Sequence, residues 1–291
     1  MPELTTSMGA NQVADGASTA FAGPLGIIGT GRAARAFARG LREAGVEVDG
    51  PWGRGDSMLT SRVILLCVPE RAIPAVMTRV PAAAVVGHCS ASEPLDTLRP
   101  NRRFALHPLM TLIGEATSLH GAHCAVDGSD DAALETATAL ATRLGMTPMH
   151  VPADRRALYH AAASIASNYL VTLQWAAERA AAQCGVPREA LGPLVQATLD
   201  ASRSRGFAGA ITGPVARGDL ATVARQRAAI ATTAPELLIL FDAMAHTTRL
   251  ALHESPPIMP GAPTLSSLPT SAHATSSHVP SAHVPSSPTG A

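Results

Sequence analysis

The sequence contains no lysine, so all 22 of its Lys and Arg positions are arginine. Without an ε-amino group the chain cannot form a Schiff base or use a lysine as a general acid. A catalytic proton must therefore come from histidine, tyrosine, a carboxyl group, cysteine or water. Uniform arginine use is also a common consequence of genome composition, so by itself it indicates no function.

Aromatic residues make up only 3% of the chain, and the formal net charge is zero. Few aromatic side chains are available to stack on nucleic-acid bases, and no stripe of basic residues is present to bind a phosphate backbone. We therefore predict that nucleic acid is not a partner of this protein.

The four cysteines, Cys67, Cys89, Cys124 and Cys184, form no C-x-x-C pair. The spacing predicts neither a disulfide framework nor a metal site. The N-terminus lacks the pattern of a signal peptide, and no uninterrupted apolar run approaches the roughly 20 residues that span a bilayer. We expect a cytoplasmic protein that does not engage a membrane.

The chain is predicted to have four segments. Residues 1–22 form a flexible leader and residues 255–291 a disordered tail rich in Pro, Ser and His, because neither can bury enough apolar surface to fold. Residues 23–152 form a Rossmann dinucleotide-binding domain. Residues 153–254 form a helical domain for substrate binding and dimerisation.

Short apolar runs alternate with helical stretches up to about residue 151, whereas strand patterns vanish from residue 157 onward. This order predicts an α/β fold in which a doubly wound parallel Rossmann sheet precedes an all-helical region. The predicted strands cover 26–28, 46–52, 62–68, 83–87, 103–106 and 123–126, and the predicted Rossmann helices cover 32–44 and 131–144. The helical region is expected to break at 184–187 and at 212–214.

A glycine-rich turn follows the first apolar strand and opens the first helix. Gly29 permits the tight turn, Gly31 lets the backbone approach a pyrophosphate, and Ala34 still allows close packing of helix on sheet. Free N–H groups at the helix start would face the phosphates. The alternative is a structural turn that binds nothing.

The end of the second strand decides between NADP and NAD. An NAD enzyme usually places an acidic residue there for the ribose hydroxyls, whereas Arg54 stands where a guanidinium would pair with a 2′-phosphate. Ser57 would add a hydroxyl, although Asp56 leaves NAD open. NADP is the favoured cofactor and NAD the less favoured one.

Three polar clusters follow predicted strands, where doubly wound sheets place their chemistry. They begin at Cys67, His88 and His107, and a histidine at such an edge can donate or accept a proton near neutral pH. A histidine that only satisfies a loop carbonyl is an equally good interpretation. The predicted cofactor-binding residues are Gly29, Thr30, Gly31, Arg32, Ala33, Arg54, Ser57, Val68, Pro69 and Ser90.

A polar stripe marks the first helix of the helical region. His160, Ser164 and Asn168 are four residues apart, so they share one face of an otherwise Ala-rich helix. A substrate carbonyl or carboxylate lying on this face would receive several hydrogen bonds. An interhelical hydrogen-bond network is the alternative.

Several motifs together resemble an uncharacterised family that joins a Rossmann-like NADP-binding domain to a C-terminal helical domain of unknown function. The family is akin to ketopantoate reductases, pyrroline-5-carboxylate reductases and 6-phosphogluconate dehydrogenases, and the resemblance implies a helical domain of the last type. The motifs are Gly29-Thr30-Gly31-Arg32, His88-Cys89-Ser90, His107-Pro108-Leu109, Tyr159-His160-Ala161-Ala162-Ala163, Ser167-Asn168-Tyr169-Leu170 and Thr212-Gly213-Pro214-Val215-Ala216-Arg217-Gly218-Asp219.

The wider superfamily carries Lys-x-x-x-Asn on the helix after the Rossmann domain, with the lysine as proton donor. Asn168 matches the asparagine of that pattern, but Ser164 occupies the lysine position. The resemblance therefore leaves the donor role to His160 or His107. It also offers 2-dehydropantoate as a substrate, since relatives of this type are linked with ketopantoate reduction.

These observations predict an NAD(P)H-dependent oxidoreductase that transfers hydride to a small carbonyl substrate. His160, Asn168, His107 and Ser164 are the candidate catalytic residues, with substrate contacts expected from His107, Asn168 and Arg217. Arg217 has a second interpretation, because it also suits a salt-bridged helix connection with Asp219. An imine reductase of the pyrroline-5-carboxylate type and a non-catalytic NADP-binding sensor are the alternatives. A helical second domain is compatible with a homodimer.

Overall fold

The computed structural model describes residues 23–56, 61–114 and 117–253. The predicted leader, the predicted tail and Ser57 lie outside the described residues. None of the described helices is long and apolar enough to cross a membrane.

Seven strands form one sheet in the order β2-β1-β3-β4-β5-β6-β7. All neighbours pair in parallel except β5 and β6, which are antiparallel. The strands are β1 (Leu25–Ile28), β2 (Val48–Trp52), β3 (Val63–Leu66), β4 (Val85–His88), β5 (Arg102–Pro108), β6 (His123–Gly128) and β7 (Thr147–His150). The predicted doubly wound Rossmann fold is confirmed.

Two details differ from the sequence prediction. The sheet is not wholly parallel, and β7 was not predicted. β7 is a short edge strand that contains Pro148, and its side chains are exposed or half-buried. It therefore lacks the continuous apolar run that identifies a buried parallel strand.

Eight α-helices accompany these strands in the described residues, and the second half of the chain is helical as predicted. The Rossmann helices are α1 (Arg32–Glu43), α2 (Ile73–Met77) and α3 (Asp131–Arg143). The later helices are α4 (Arg156–Ser164), α5 (Leu170–Ala182), α6 (Gly192–Ala210), α7 (Leu220–Thr233) and α8 (Leu238–His253). Both predicted breaks are present, after α5 and after α6. A π-helical turn, Ile165–Tyr169, joins α4 to α5.

The core lies between the sheet and its covering helices. All four residues of β3 are buried, as expected for a central parallel strand covered on both faces. From α1, Phe37 and Leu41 are fully buried, and each such side chain contributes roughly 1.5–3 kcal/mol relative to an exposed one. This packing fixes the start of α1 at the carboxyl edge of the sheet.

Far fewer side chains are buried in the helical half of the chain than in the half that forms the sheet. Ala176, Ala234 and Leu237 form a small cluster, while neither α6 nor α7 has any fully buried residue. Large apolar side chains on α4, α5 and α8 are exposed instead, including Leu158, Ile239 and Trp175.

Candidate active site

A cavity of about 1000 Å³ lies between the carboxyl edge of the sheet and α4. It joins the glycine-rich turn to the ends of β3, β4 and β5. Its polar or strand-end lining residues are Gly31, Arg32, Cys67, Val68, Cys89, His107, Tyr159, His160, Ser164, Ser167 and Asn168. Elements from both halves of the chain thus enclose one space.

The glycine-rich turn has the geometry that a bound pyrophosphate requires. Gly29 has φ +126°, and a Cβ added there would lie 2.2 Å from the Cys67 carbonyl oxygen. A Cβ at Gly31 would meet nothing within 4 Å, so this glycine borders open space. Helix α1 begins without a side-chain cap and without an acidic residue in its first turn. Its first N–H groups are therefore available to an anion.

The end of β2 carries the predicted specificity residues. Arg54 follows the strand on an exposed turn, while the Asp56 carboxylate accepts a hydrogen bond from the Gly53 N–H at 2.5 Å. Arg79 donates to the Asp56 carbonyl oxygen, again at 2.5 Å. Asp56 is thus engaged within its own turn, and Arg54 has no acidic partner among the described ion pairs.

Glu70 links the loops that follow β3 and β4. Its carboxylate accepts hydrogen bonds from the hydroxyl groups of Ser90 and Ser92, the second at 3.0 Å. The Ser90 bond is the main reason that the pKa of Glu70 lies below its usual value. Ser90 and Pro69, both predicted to contact the cofactor, do not line the cavity. Ser90 instead supports the loop beside it.

His107 and Tyr159 form a hydrogen-bonded pair on the cavity wall. The Nδ1 atom of His107 lies 2.8 Å from the Tyr159 hydroxyl oxygen, and the two rings meet edge to face. Burial, with the nearby positive charges of His160 and Arg156, lowers the pKa of His107 to about 4. Burial also raises the pKa of Tyr159 to about 12. Both groups are therefore neutral at pH 7, and His107 would donate or accept a proton as a neutral imidazole.

Behind this wall lie two polar side chains that are almost wholly buried. His88 is 1% exposed, and neither of its ring nitrogens has a hydrogen-bond partner. Burial and the charge of Arg156 lower its pKa to about 4. Arg156 is 5% exposed and lies 3.7 Å from a carboxylate oxygen of Asp127. Sequence reasoning missed Arg156, because nothing in the sequence separates it from the exposed Arg155.

The polar stripe runs from α4 into the π-helical turn and lines the cavity. His160, Ser164 and Asn168 all line it. The helix is not regular, however, since the π-helical turn brings Ser167 to the cavity beside Asn168. Such single π turns are frequent at functional sites. Tyr159 belongs to one of the sequence motifs, but the motif by itself predicts no role for its hydroxyl group.

Arg217 lies outside the cavity, on the turn between α6 and α7. Asp219 caps α7 by accepting from the Thr222 N–H at 3.0 Å, and this bond is the main cause of its lowered pKa. The charge of Arg217 lowers it further. Among the described residues no salt bridge joins Arg217 to Asp219, so the predicted salt-bridged connection is not observed. The substrate contact of Arg217 stays a prediction.

No group of three His, Cys, Asp or Glu residues within 23–56, 61–114 and 117–253 is placed to hold a metal ion.

Comparison with known proteins agrees with this architecture. Residues 122–248 match the family model described as Domain of unknown function (DUF2520). No curated protein matches the chain. The predicted resemblance is confirmed in this form: a Rossmann-like sheet precedes a region that matches this family of unknown function.

Solved structures share the fold over most of the chain. A candidate NADP oxidoreductase from Bacteroides fragilis superposes with a TM-score of 0.68 at 15% identity, over 78% of this chain and 98% of that one. A protein from Thermotoga maritima gives 0.64 at 24% identity, over 79% and 98%. A reductive aminase from Aspergillus terreus, in complex with NADPH and ethyl levulinate, gives 0.59 at 16% identity, over 78% and 94%.

Proposed function

We propose that this protein is an NADP(H)-dependent reductase that acts on a small carbonyl or imine substrate. The observation that carries the proposal is one continuous cavity that joins an uncapped helix start to a neutral His–Tyr pair. The first feature suits a dinucleotide pyrophosphate, and the second suits a substrate heteroatom that must be protonated. Two of the similar structures support the cofactor, since one is described as a candidate NADP oxidoreductase and the other contains NADPH.

The residues present fit the cofactor. The turn from Gly29 to Gly31 would hold the pyrophosphate, because helix α1 begins without a side-chain cap and Gly31 leaves space for the phosphates. Arg54 would pair with a 2′-phosphate and so select NADP over NAD. When bound, the reduced nicotinamide supplies the hydride for the reaction.

The Arg54 role has a direct test. Arg54→Ala should weaken NADPH binding by about tenfold or more and leave NADH binding nearly unchanged, since a charge-assisted bond to phosphate is worth roughly 1.5–3 kcal/mol. Arg62→Ala, on the exposed residue that precedes β3, is the matched control. Equal losses for both cofactors would contradict the assignment.

The cavity wall would provide the proton without a lysine. Neutral His107 can accept the Tyr159 hydroxyl proton at Nδ1, which leaves its Nε2 protonated as a donor. A neutral imidazole is an adequate donor to a carbonyl or imine that is gaining electron density. As the alkoxide or amide anion forms, proton transfer through His107 from Tyr159 would neutralise it. Asn168 would orient the acceptor atom, and His160 would add a second donor at the cavity mouth.

Two substrate classes fit this wall. A 2-oxo acid such as 2-dehydropantoate is the carbonyl candidate that the family resemblance offers. An imine is the second candidate, supported by the likeness to a reductive aminase that was crystallised with ethyl levulinate. The size of the cavity is compatible with either class beside a nicotinamide ring.

A substrate panel distinguishes these candidates. NADPH consumption is measured at 340 nm with 2-oxo acids, with cyclic imines and with ketone–amine pairs, each against NADH. We expect turnover with at least one class and a preference for NADPH. Tight NADPH binding without turnover on any class would favour the non-catalytic sensor instead.

We also propose that the helical region forms a homodimer. Of the large apolar residues that are exposed in the described chain, most lie after residue 156, and α6 and α7 have no buried residue. Apolar exposure on this scale marks an interface in a folded protein. Light scattering after size exclusion should give twice the chain mass, and Ile239→Asp should yield monomers. A monomeric wild type would contradict the proposal.

A further inference from the structure

We propose that Cys67 and Cys89 form a reversible disulfide on the sheet-edge wall of the cavity, which makes this thiol pair a redox modification site. The two cysteines directly follow β3 and β4, and both line the cavity. Nothing in the reductase mechanism uses them.

The sheet register places the two residues side by side. Leu66 is aligned with His88 in the parallel pairing of β3 with β4, so the next residue on each strand is a cysteine. The Cys89 N–H donates to the Leu66 carbonyl oxygen at 3.2 Å, which extends the pairing past the strand ends. Neighbouring strands lie about 4.8 Å apart. A disulfide accepts Cα separations of about 4.4–6.8 Å, so the backbone positions suit a bond.

The side chains are also close. Aligned residues of parallel strands point to the same face, and the thiols of Cys67 and Cys89 are near enough to shift each other's pKa in opposite directions. Cys67 is buried, whereas Cys89 is only half-buried and reachable from the cavity. The other two cysteines differ, because Cys124 is fully buried and Cys184 is exposed on the turn after α5.

The pair divides into an attacking and a resolving thiol. Interaction with Cys67 lowers the pKa of Cys89, whereas interaction with Cys89 and burial raise the pKa of Cys67. The thiolate is the nucleophilic form of cysteine. The Cys89 thiolate attacks a hydroperoxide, the O–O bond breaks, and Cys89 becomes a sulfenic acid while the departing oxygen leaves as water or alcohol. The Cys67 sulfur then attacks the sulfenic sulfur, the S–S bond forms, and a water molecule leaves.

The disulfide would affect the adjoining glycine turn. The Cys67 carbonyl oxygen packs against Gly29 so closely that a Cβ there would lie 2.2 Å away. A change in the backbone at Cys67 therefore moves the turn proposed to hold the pyrophosphate. This second step rests on the proposed function: the disulfide lowers NADP(H) affinity and, by thermodynamic reciprocity, bound NADP(H) disfavours the disulfide.

The test uses the full chain carrying Cys184→Ser, which removes the exposed thiol, with the four-cysteine protein alongside. Each is treated with hydrogen peroxide, blocked with N-ethylmaleimide under denaturing conditions, and digested with trypsin. Because the chain has no lysine, cleavage occurs only at arginine and separates peptide 63–71, which holds Cys67, from peptide 80–102, which holds Cys89.

We expect a linked 63–71/80–102 peptide that dithiothreitol releases and whose mass is about 2 Da below the sum of the two free thiol peptides. In Cys67→Ala the link should disappear and Cys89 should carry sulfinic acid instead. The proposal is overturned if both thiols remain fully labelled at a dose that oxidises Cys184 in the four-cysteine protein. It is equally overturned if wild-type Cys89 proceeds to sulfinic acid while Cys67 stays free.

The effect of the disulfide on cofactor affinity is measured separately, as the dissociation constant of NADPH for the reduced and for the oxidised Cys184→Ser protein. We expect at least a tenfold higher dissociation constant after oxidation, restored by dithiothreitol. Equal affinity in both forms would overturn the coupling. Absence of binding to the reduced form would overturn the proposed function, while the peptide result would still decide on the disulfide.

Discussion

The Nδ1 atom of His107 lies 2.8 Å from the hydroxyl oxygen of Tyr159, which joins the end of β5 to the first helix after the sheet. His107 follows a buried strand segment, and Tyr159 is in the first turn of α4, 52 residues later. The pair thus couples the sheet-forming half of the chain to the helical half. In a protein without lysine, it is the best-placed neutral donor system on the cavity wall.

Tyr159→Phe removes the hydroxyl but keeps the ring. We expect kcat to fall about hundredfold, the lower range for loss of a general acid, with NADPH affinity within about twofold of wild type. Steady-state kinetics on the substrate found in the panel, with NADPH titration by fluorescence, give both numbers.

The chain supplies a matched control for this variant. Tyr169 is the other tyrosine of the sequence; it is exposed and does not line the cavity. Tyr169→Phe should retain wild-type kcat. If Tyr159→Phe also retained full turnover, the pair would have only a structural role.

The pH dependence of turnover separates a neutral His107 from a cationic one. Its pKa is about 4, so at pH 7 only about one molecule in a thousand carries the imidazolium. A neutral pair predicts a kcat that stays constant within about threefold from pH 8 to pH 5. A donor that must be protonated predicts a rise of about tenfold for each unit of falling pH. The profile is recorded in His160→Gln, so that His160 does not contribute to it.

Gly31→Ala tests whether the glycine-rich turn binds the pyrophosphate, and it should not disturb the fold. The position has φ −76° and open space around it, so alanine fits the empty protein. The added methyl group would occupy the room that a pyrophosphate needs. We expect a melting temperature within about 2 °C of wild type and NADPH binding at least tenfold weaker.

A second glycine in open space controls for the substitution itself. Gly192→Ala, at the start of α6, should leave NADPH binding unchanged and stabilise the protein by up to about 1 kcal/mol. Gly29→Ala should instead impair folding, because its Cβ would collide with the Cys67 carbonyl. Unchanged NADPH affinity in Gly31→Ala would place the pyrophosphate elsewhere.

The sequence was sufficient to predict the central sheet, since buried strands such as β3 are continuous apolar runs. Predicted strand ends differ from the observed ones by at most two residues, because apolar character fades gradually into the loops. The edge strand β7 escaped prediction, since an exposed strand containing a proline carries no such run. The antiparallel pairing of β6 with β5 was missed for a different reason: strand direction is not encoded in composition.

The candidate site was predictable in position but not in protonation. His107, His160 and Asn168 do line one cavity, as expected from the strand ends and the helical spacing. The low pKa of His107 comes from burial and from charges on other elements, including Arg156, and neither can be read from neighbouring residues. The partner of His107, Tyr159, required the packing of α4 against the sheet to be known.

Buried His88 should make the fold sensitive to acid. Its pKa is about 4 in the folded protein and about 6.5 when unfolded. Between these two pKa values His88 is protonated in the unfolded chain and neutral in the folded one, so lowering the pH favours unfolding. From pH 7 to pH 5 this group alone should reduce the free energy of unfolding by about 2 kcal/mol.

His88→Leu should remove that part of the pH dependence. Since neither ring nitrogen of His88 has a hydrogen-bond partner, the substitution should not destabilise the protein at pH 7. Urea unfolding of both proteins at the two pH values measures the difference, with the exposed His150→Leu as control. An unchanged pH dependence in His88→Leu would show that His88 is protonated in the fold and that a partner for its charge exists.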